Sequence, residues 1–176
     1  MPEAPTTEPW AGTPPVPHAL RPGAKPEAYM AKIAEGDERL WVPNGPGIYH
    51  RPLCLNASQG YWVHLLKVTQ SGVVSRHRHP APVHGFVLQG RWRYLERDWL
   101  ATAGSYLFEP PGDVHTLVVD EGDMMITLFH ITGALLYCDD AGKTIGSTDV
   151  FDRIAAARKH YESVGLGADY VRRFIR

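Results

Sequence analysis

Between residues 41 and 140, apolar and polar positions alternate in short runs, each closed by turn-forming residues. The runs are GIYHRPLCLNA, YWVHLLKVT, HGFVLQG, WRYLER, SYLFEP, HTLVVD and MMITLFHIT. They are rich in β-branched and aromatic side chains, which fit a pleated, half-buried surface. The separators NASQG, TQSG, ERDW, TAG, EPPGD and DEGD supply the Gly, Pro, Asn and Asp that tight turns need. Many short strands at this spacing predict an all-β sandwich or barrel. A further hairpin is expected at LLYCDDAGKTIG, where Gly142 can take positive φ.

The two ends break the pattern. In STDVFDRIAAARKHYESVGLG the period changes to that of a helix, with Asp149 as cap, Asp152 three positions on, and Gly165 as stop. Phe151, Ile154, Ala155 and Tyr161 are expected along its apolar face, packed on the outside of the barrel. Residues 1 to about 26 carry prolines at 2, 5, 9, 14, 15, 17, 22 and 26, which disfavour a regular sheet interior. Trp10, Val16 and Leu20 give this segment apolar surface, so either a disordered tail or an arm packed on the barrel or a neighbouring subunit fits. The expected organisation is a proline-rich arm over 1–40, a barrel over 41–140, and a hairpin end with a helix over 141–176.

Composition narrows the function classes. The chain has 176 residues, 44% apolar and 21% charged, with a formal net charge of −1. That is ordinary for a soluble globular domain. No basic run or basic amphipathic stretch points to nucleic acid or a membrane surface. Cys54 and Cys138 match no zinc spacing and read as reduced thiols. With no signal-peptide pattern at the N-terminus, a cytoplasmic protein is expected.

The chemistry lies in the histidines. His77 and His79 are two apart, and on a strand i and i+2 point to the same side, so both imidazoles can converge on a metal. GSYLFEPPGDVH reads G-x5-P-x-G-x2-H from Gly104 to His115, a sharp turn that delivers one histidine to the next strand. His84 has the opposite strand parity from Val83, which favours an outer position over a fourth ligand. His64 and His130 lie in apolar strands and read as satisfied core histidines, although His130 could line the cavity. Glu109, just before the Pro110–Pro111 turn, is the preferred base or hydrogen-bond anchor beside a metal. Glu96 is the other candidate acid, sharing parity with Trp92 and Tyr94. Trp92, Tyr94, Trp99 and Phe108 could wall an aromatic-sized pocket.

These segments resemble the two motifs of the cupin superfamily, G-x5-H-x-H-x3,4-E-x6-G and G-x5-P-x-G-x2-H-x3-N. The resemblance implies a double-stranded β-helix, or jelly-roll, barrel with a metal held by His77, His79 and His115. The sequence departs from the pattern where Gly72 is one residue too near His77, where Val83 takes the glutamate position, and where Val119 replaces the asparagine. The expected site is therefore three neutral imidazoles without a carboxylate, which would favour an anionic chelating substrate such as an enediolate.

The stretch SRHRHPAPVHGFVLQGRWRYLERDWLATAGSYLFEPPGDVHTLVV, the proline-rich opening, the ALLYCDDAGKTIG hairpin and the C-terminal helix further resemble the 2,4'-dihydroxyacetophenone dioxygenases. The resemblance implies one Fe(II) per subunit, a small aromatic hydroxyketone and O2 as substrates, and a homodimer or homotetramer. The reaction would cleave the bond between the carbonyl and hydroxymethyl carbons to 4-hydroxybenzoate and formate. Two other readings fit the same histidines: a β-diketone-cleaving cupin dioxygenase, and a zinc-binding, non-catalytic cupin of the anti-sigma-factor type.

Overall fold

A computed structural model describes residues 12, 14 and 22–176, of which 31–176 form one compact unit. The expected N-terminal arm around Trp10, Val16 and Leu20 lies outside the described residues. The compact unit is a curled antiparallel sheet of eleven strands with one α-helix at its C-terminal end. In chain order the strands are β1 (Val42–Gly45), β2 (Ile48–Asn56), β3 (Tyr61–Val68), β4 (Gly72–Arg78), β5 (Val83–Tyr94) and β6 (Ala101–Thr102). They continue with β7 (Tyr106–Glu109), β8 (His115–Val119), β9 (Met125–Thr132), β10 (Ala134–Cys138) and β11 (Thr144–Asp149), followed by helix α1 (Val150–Ser163). The spatial order is β1-β2-β3-β9-β5-β8-β4-β10-β11, with β6 and β7 on β5. This is the barrel architecture that the strand spacing and the cupin motifs predict. No helix among the described residues is long and apolar enough to cross a membrane.

Strand β5 closes the barrel. HGFVLQG and WRYLER, expected as two strands, are one strand of twelve residues that ends at Tyr94. Its first half lies between β9 and β7, and its second half pairs with β8 and β6. The strand changes partners without breaking because the register shifts between Val87 and Gln89 and Gly90 adopts φ +72°. A Cβ at position 90 would sit 1.7 Å from the Met124 carbonyl oxygen, so the crossing requires glycine.

The core forms where the two halves of the sheet face each other. Trp62, Val83 and Met125 are fully buried there. The Trp92 indole N–H donates to Thr127 Oγ1 at 2.9 Å, so this large side chain is buried without an orphaned donor. The helix begins as its sequence predicts: Asp149 Oδ1 accepts from the backbone N–H groups of Phe151 and Asp152, and Asp152 answers through the Asp149 N–H. Its inward face differs in part from expectation: Tyr161 is buried and Ile154 packs half-buried on the core, as expected. Val150, Arg153, Ala157 and Tyr161 are buried, while Phe151 and Ala155 are exposed. The phase is set at the start, where β11 runs directly into the helix and places Val150 inward; positions three, seven and eleven residues on follow it.

Gly90→Ala should therefore lower stability by roughly 2–4 kcal/mol, combining backbone strain with a clash against main chain. Gly104 also has positive φ, yet its added Cβ would meet nothing within 4 Å. Gly104→Ala should cost only about 1 kcal/mol. Urea unfolding of both variants checks this, and equal losses would show that the crossing at Gly90 is not a special constraint.

Candidate metal centre

Three strands and a turn bring four side chains to one buried point. His77 on β4 is the direct cross-strand partner of His115 on β8. Their Nε2 atoms are 3.2 Å apart. His79 follows the last residue of β4 and is held there by the Gly112 N–H, which donates to its carbonyl at 2.8 Å. The glycine and proline turn that delivers His115 thus also fastens His79. Glu109 ends β7, and its Oε2 lies 3.2 Å from His79 Nε2 and 3.3 Å from His115 Nε2. One ligand atom from each of the four residues falls within 4.8 Å of the others, and all four residues are buried.

The expectation of a site without an acid is corrected by this geometry. Val83 does occupy the inward position on β5, but its register partner on β7 is Glu109. The carboxylate reaches the cluster from the neighbouring strand. The sequence put Glu109 beside the metal as a base or hydrogen-bond anchor but not within the ligand cluster, because strand pairing across a long connection cannot be read from spacing.

The hydrogen bonds on the far side of each ring show what the cluster fits. His79 Nδ1 lies 3.2 Å from the Ala134 carbonyl oxygen, which can only accept, so the Nδ1 carries the proton and Nε2 presents a lone pair. His77 Nδ1 pairs with Ser75 Oγ at 3.0 Å. Burial pushes the His77 imidazole down to about 3, helped by the neighbouring His115 and His79, so it is neutral at physiological pH. Burial pushes the Glu109 carboxyl up, but the two facing imidazoles outweigh this and leave it well below the usual carboxylate range. Its Oε2 makes no hydrogen bond. Three imidazole nitrogens and a carboxylate oxygen converge on one buried point, and this donor set suits a bound cation. Nitrogen and carboxylate donors together could hold Fe(II), Zn(II) or another divalent transition metal.

The other candidates divide between the cavity and the outer surface. Tyr94 is buried, stacks on the His115 ring with centroids 4.2 Å apart, and donates its hydroxyl to Glu109 Oε1 at 2.5 Å. Burial and the Glu109 charge push the phenol well above its ordinary range, so it remains a donor. Glu96 does not reach the site. Strand β5 has ended before it, and its carboxylate accepts from the Thr116 N–H and hydroxyl at 2.7 Å each, fixing the start of β8 from outside. His84 points outward, as its parity requires, and its Nδ1 pairs with the Tyr106 hydroxyl at 3.0 Å. His130 faces His84 across the β5–β9 pair on the same outer side and does not line the cavity. Trp99 packs edge-on against Tyr94 and, with Phe108, Arg97 and Asp113, borders a second cleft that Tyr94 and Glu109 also line. Of the four expected wall aromatics only Tyr94 lines the cavity.

That cavity, about 270 Å³, opens onto the cluster. Its walls include Leu66, Val83, Leu117, Phe129 and Ile131. Five polar residues that the sequence reading did not assign to the site also line it: Asn44, His64, Ser75, Tyr137 and Arg153. His64, read as a satisfied core residue, has an orphaned Nδ1. Its inward position was legible from alternation with Trp62 and Leu66 on β3. Burial, then the Arg153 charge, push the His50 and His64 imidazoles well below their ordinary range.

The sequence profile of the ChrR Cupin-like domain matches residues 30–135, more than half of the chain. The chain belongs to this family. Among solved structures, an RmlC-like cupin protein from Ralstonia eutropha JMP134 is 29% identical, with a TM-score of 0.67 over 72% of this chain and 83% of that one. An acetylacetone dioxygenase from Acinetobacter johnsonii shares the fold at a TM-score of 0.67 and 19% identity, over 81% of this chain and 99% of that one. A search of the curated proteins finds no match.

Alanine at His77, His79 or His115 should remove most bound metal, and Glu109→Gln should weaken binding by about 10–100-fold. His84→Ala should leave metal content unchanged. Metal analysis after dialysis checks all five, and full retention in Glu109→Gln would place the carboxylate outside the ligand set. A second outcome concerns pH. The unfolded chain protonates His50 and His64 near pH 6.5, whereas the folded chain resists doing so. Stability should be flat above that pH and fall below it, by about 1–2 kcal/mol per histidine between pH 6.5 and 5. Equal pH slopes for wild type and His50→Gln/His64→Gln would refute the assignment.

Proposed function

We propose that the protein is a non-haem iron dioxygenase that cleaves the C–C bond of an aryl hydroxymethyl ketone. The reading that fits best is 2,4'-dihydroxyacetophenone and O2 giving 4-hydroxybenzoate and formate, in aromatic catabolism. One observation carries the enzymatic reading: the histidine and glutamate cluster opens onto an apolar cavity of about 270 Å³. A structural zinc site is closed by its own protein ligands and has no use for such a space. An apolar cavity of ~150 Å³ already accommodates benzene, so this one has room for a substituted aromatic ring.

His77, His79, His115 and Glu109 would hold the metal. Fe(II) bound there would supply Lewis acidity and the electrons that O2 requires. The chain's own residues do the rest. Glu109 is the one buried carboxylate among the described residues, and its Oε2 is positioned to complete the ligand set or to take a proton from a substrate hydroxyl beside it. Tyr94 fixes the other oxygen of that carboxylate and keeps it from rotating away. The Phe129 and Ile131 side chains orient a flat ring and exclude water from the reacting end.

The acetylacetone dioxygenase that shares the fold makes β-diketones the second substrate class to test. The decisive experiment loads the protein anaerobically with Fe(II), then measures O2 uptake with a hydroxymethyl ketone, its deoxygenated methyl ketone and a β-diketone. The hydroxymethyl ketone should give aromatic acid and formate in equal amounts, with one atom of labelled O2 in each. The methyl ketone cannot chelate through two oxygens and should react about 10²-fold more slowly. Uptake only with the β-diketone would move the protein to that class. Full zinc occupancy with no O2 uptake for any of them would favour the non-catalytic reading.

A further inference from the structure

Arg153 is the most unusual charge in the molecule. It enters from α1, is nine-tenths buried or more, and lines the same cavity as the metal cluster. Its Nη1 donates to Asn44 Oδ1 at 3.1 Å and approaches His50 Nδ1 at 3.5 Å. Its Nε has no partner; the Tyr137 hydroxyl and the Asp152 charge act on it, but among the described residues no carboxylate forms a salt bridge with it. The guanidinium cannot shed its charge, and a buried cation without a counter-charge is costly. Beside it His64, also buried, offers an unpaired Nδ1. Asn44, His64 and Arg153 belong to β1, β3 and α1, whereas the metal cluster belongs to β4, β7, β8 and the residue after β4. The cavity therefore has two polar groups on different elements, and its lining also includes Leu66, Leu117, Phe129, Ile131, Ser75 and Tyr137.

We propose that Arg153, held by Asn44 and flanked by His64, binds an oxyanion at the end of the substrate that lies away from the metal. Either a phenolate oxygen or a carboxylate supplies this chemistry: the oxygen accepts from the guanidinium, and a neutral phenol can in addition donate a hydrogen bond to the imidazole of His64. This deepens the proposed function by specifying an acidic oxygen across the ring from the ketone. The oxyanion pole itself rests on Arg153 and its surroundings, not on the dioxygenase reading.

The test measures binding without turnover. The full chain with its metal bound is titrated anaerobically with acetophenone, 4-hydroxyacetophenone and 4-carboxyacetophenone by calorimetry. In the wild type one or both para-oxygen compounds should bind about tenfold tighter than acetophenone, or more. The tighter of the two identifies the phenolic or the carboxylate source. Arg153→Met keeps length and apolar bulk while removing the charge, and should abolish the preference. Arg153→Lys restores the charge without the planar fork and should recover part of it. No preference in the wild type, or an undiminished preference in Arg153→Met, overturns the proposal. Should Arg153→Met fail to fold, the wild-type preference and its weakening in Arg153→Lys decide. A preference that persists in a protein showing no O2 uptake would sink the dioxygenase reading and leave this one standing. The reverse result would do the opposite.

Discussion

Four acceptor atoms facing one another in a buried space impose the constraint on which the structure turns. Three imidazole nitrogens and a carboxylate oxygen lie within 4.8 Å of one another and have lost their water. A fold tolerates this only if its backbone fixes each side chain and a cation repays the cost. The fixing is visible in the main chain. The β4–β8 register places His77 opposite His115, and the turn before β8 reaches back through Gly112 to hold His79. The Ala134 carbonyl then selects the proton position on His79 that leaves its lone pair facing inward. Neighbouring strands thus serve the site as much as the core.

The carboxylate illustrates how geometry can preserve a site that the sequence pattern has lost. Position 83 on β5 faces the cluster, but it is a valine, and the acid stands directly across the strand pair at 109. Only the chain segment that supplies it differs. The electrostatic consequence is definite. A divalent cation held by three neutral imidazoles would retain a charge of +2, whereas Glu109 reduces it to +1. A site loaded with such a cation would attract an anionic chelate less strongly than a purely histidine site would.

What was legible in the sequence follows the range of the interactions. Strand content, the Gly142 hairpin, the Asp149 cap and the Gly165 stop are local, and each appears where its residues predicted. The His77 and His79 pairing and the outward turn of His84 followed from strand parity, a rule with a period of two. Glu109 joining the cluster, β5 running through as one strand, and Glu96 falling outside all depend on which strand lies beside which. Helix phase failed for a related reason: Phe151 is the larger apolar side chain, yet Val150 and Arg153 face inward because β11 fixes the starting direction. Composition could not reveal that an arginine would be the side chain carried into the cavity.

The position of Arg153 in the chain also separates two tasks. The family profile covers 30–135 and contains all four residues of the metal cluster. Asn44 and His64 lie within it as well, while Arg153 comes from the helix beyond. A metal held in the cluster would, with the guanidinium, make the cavity positive at two places, and Glu109 is the one carboxylate in its lining. A ligand carrying negative charge at both ends relieves both poles at once, whereas a short or singly charged one leaves a buried cation uncompensated. Selectivity then depends on the distance between the poles, which is set by how α1 docks on β1 and β2. A change in that helix would alter which substrate fits without disturbing the residues that hold the metal.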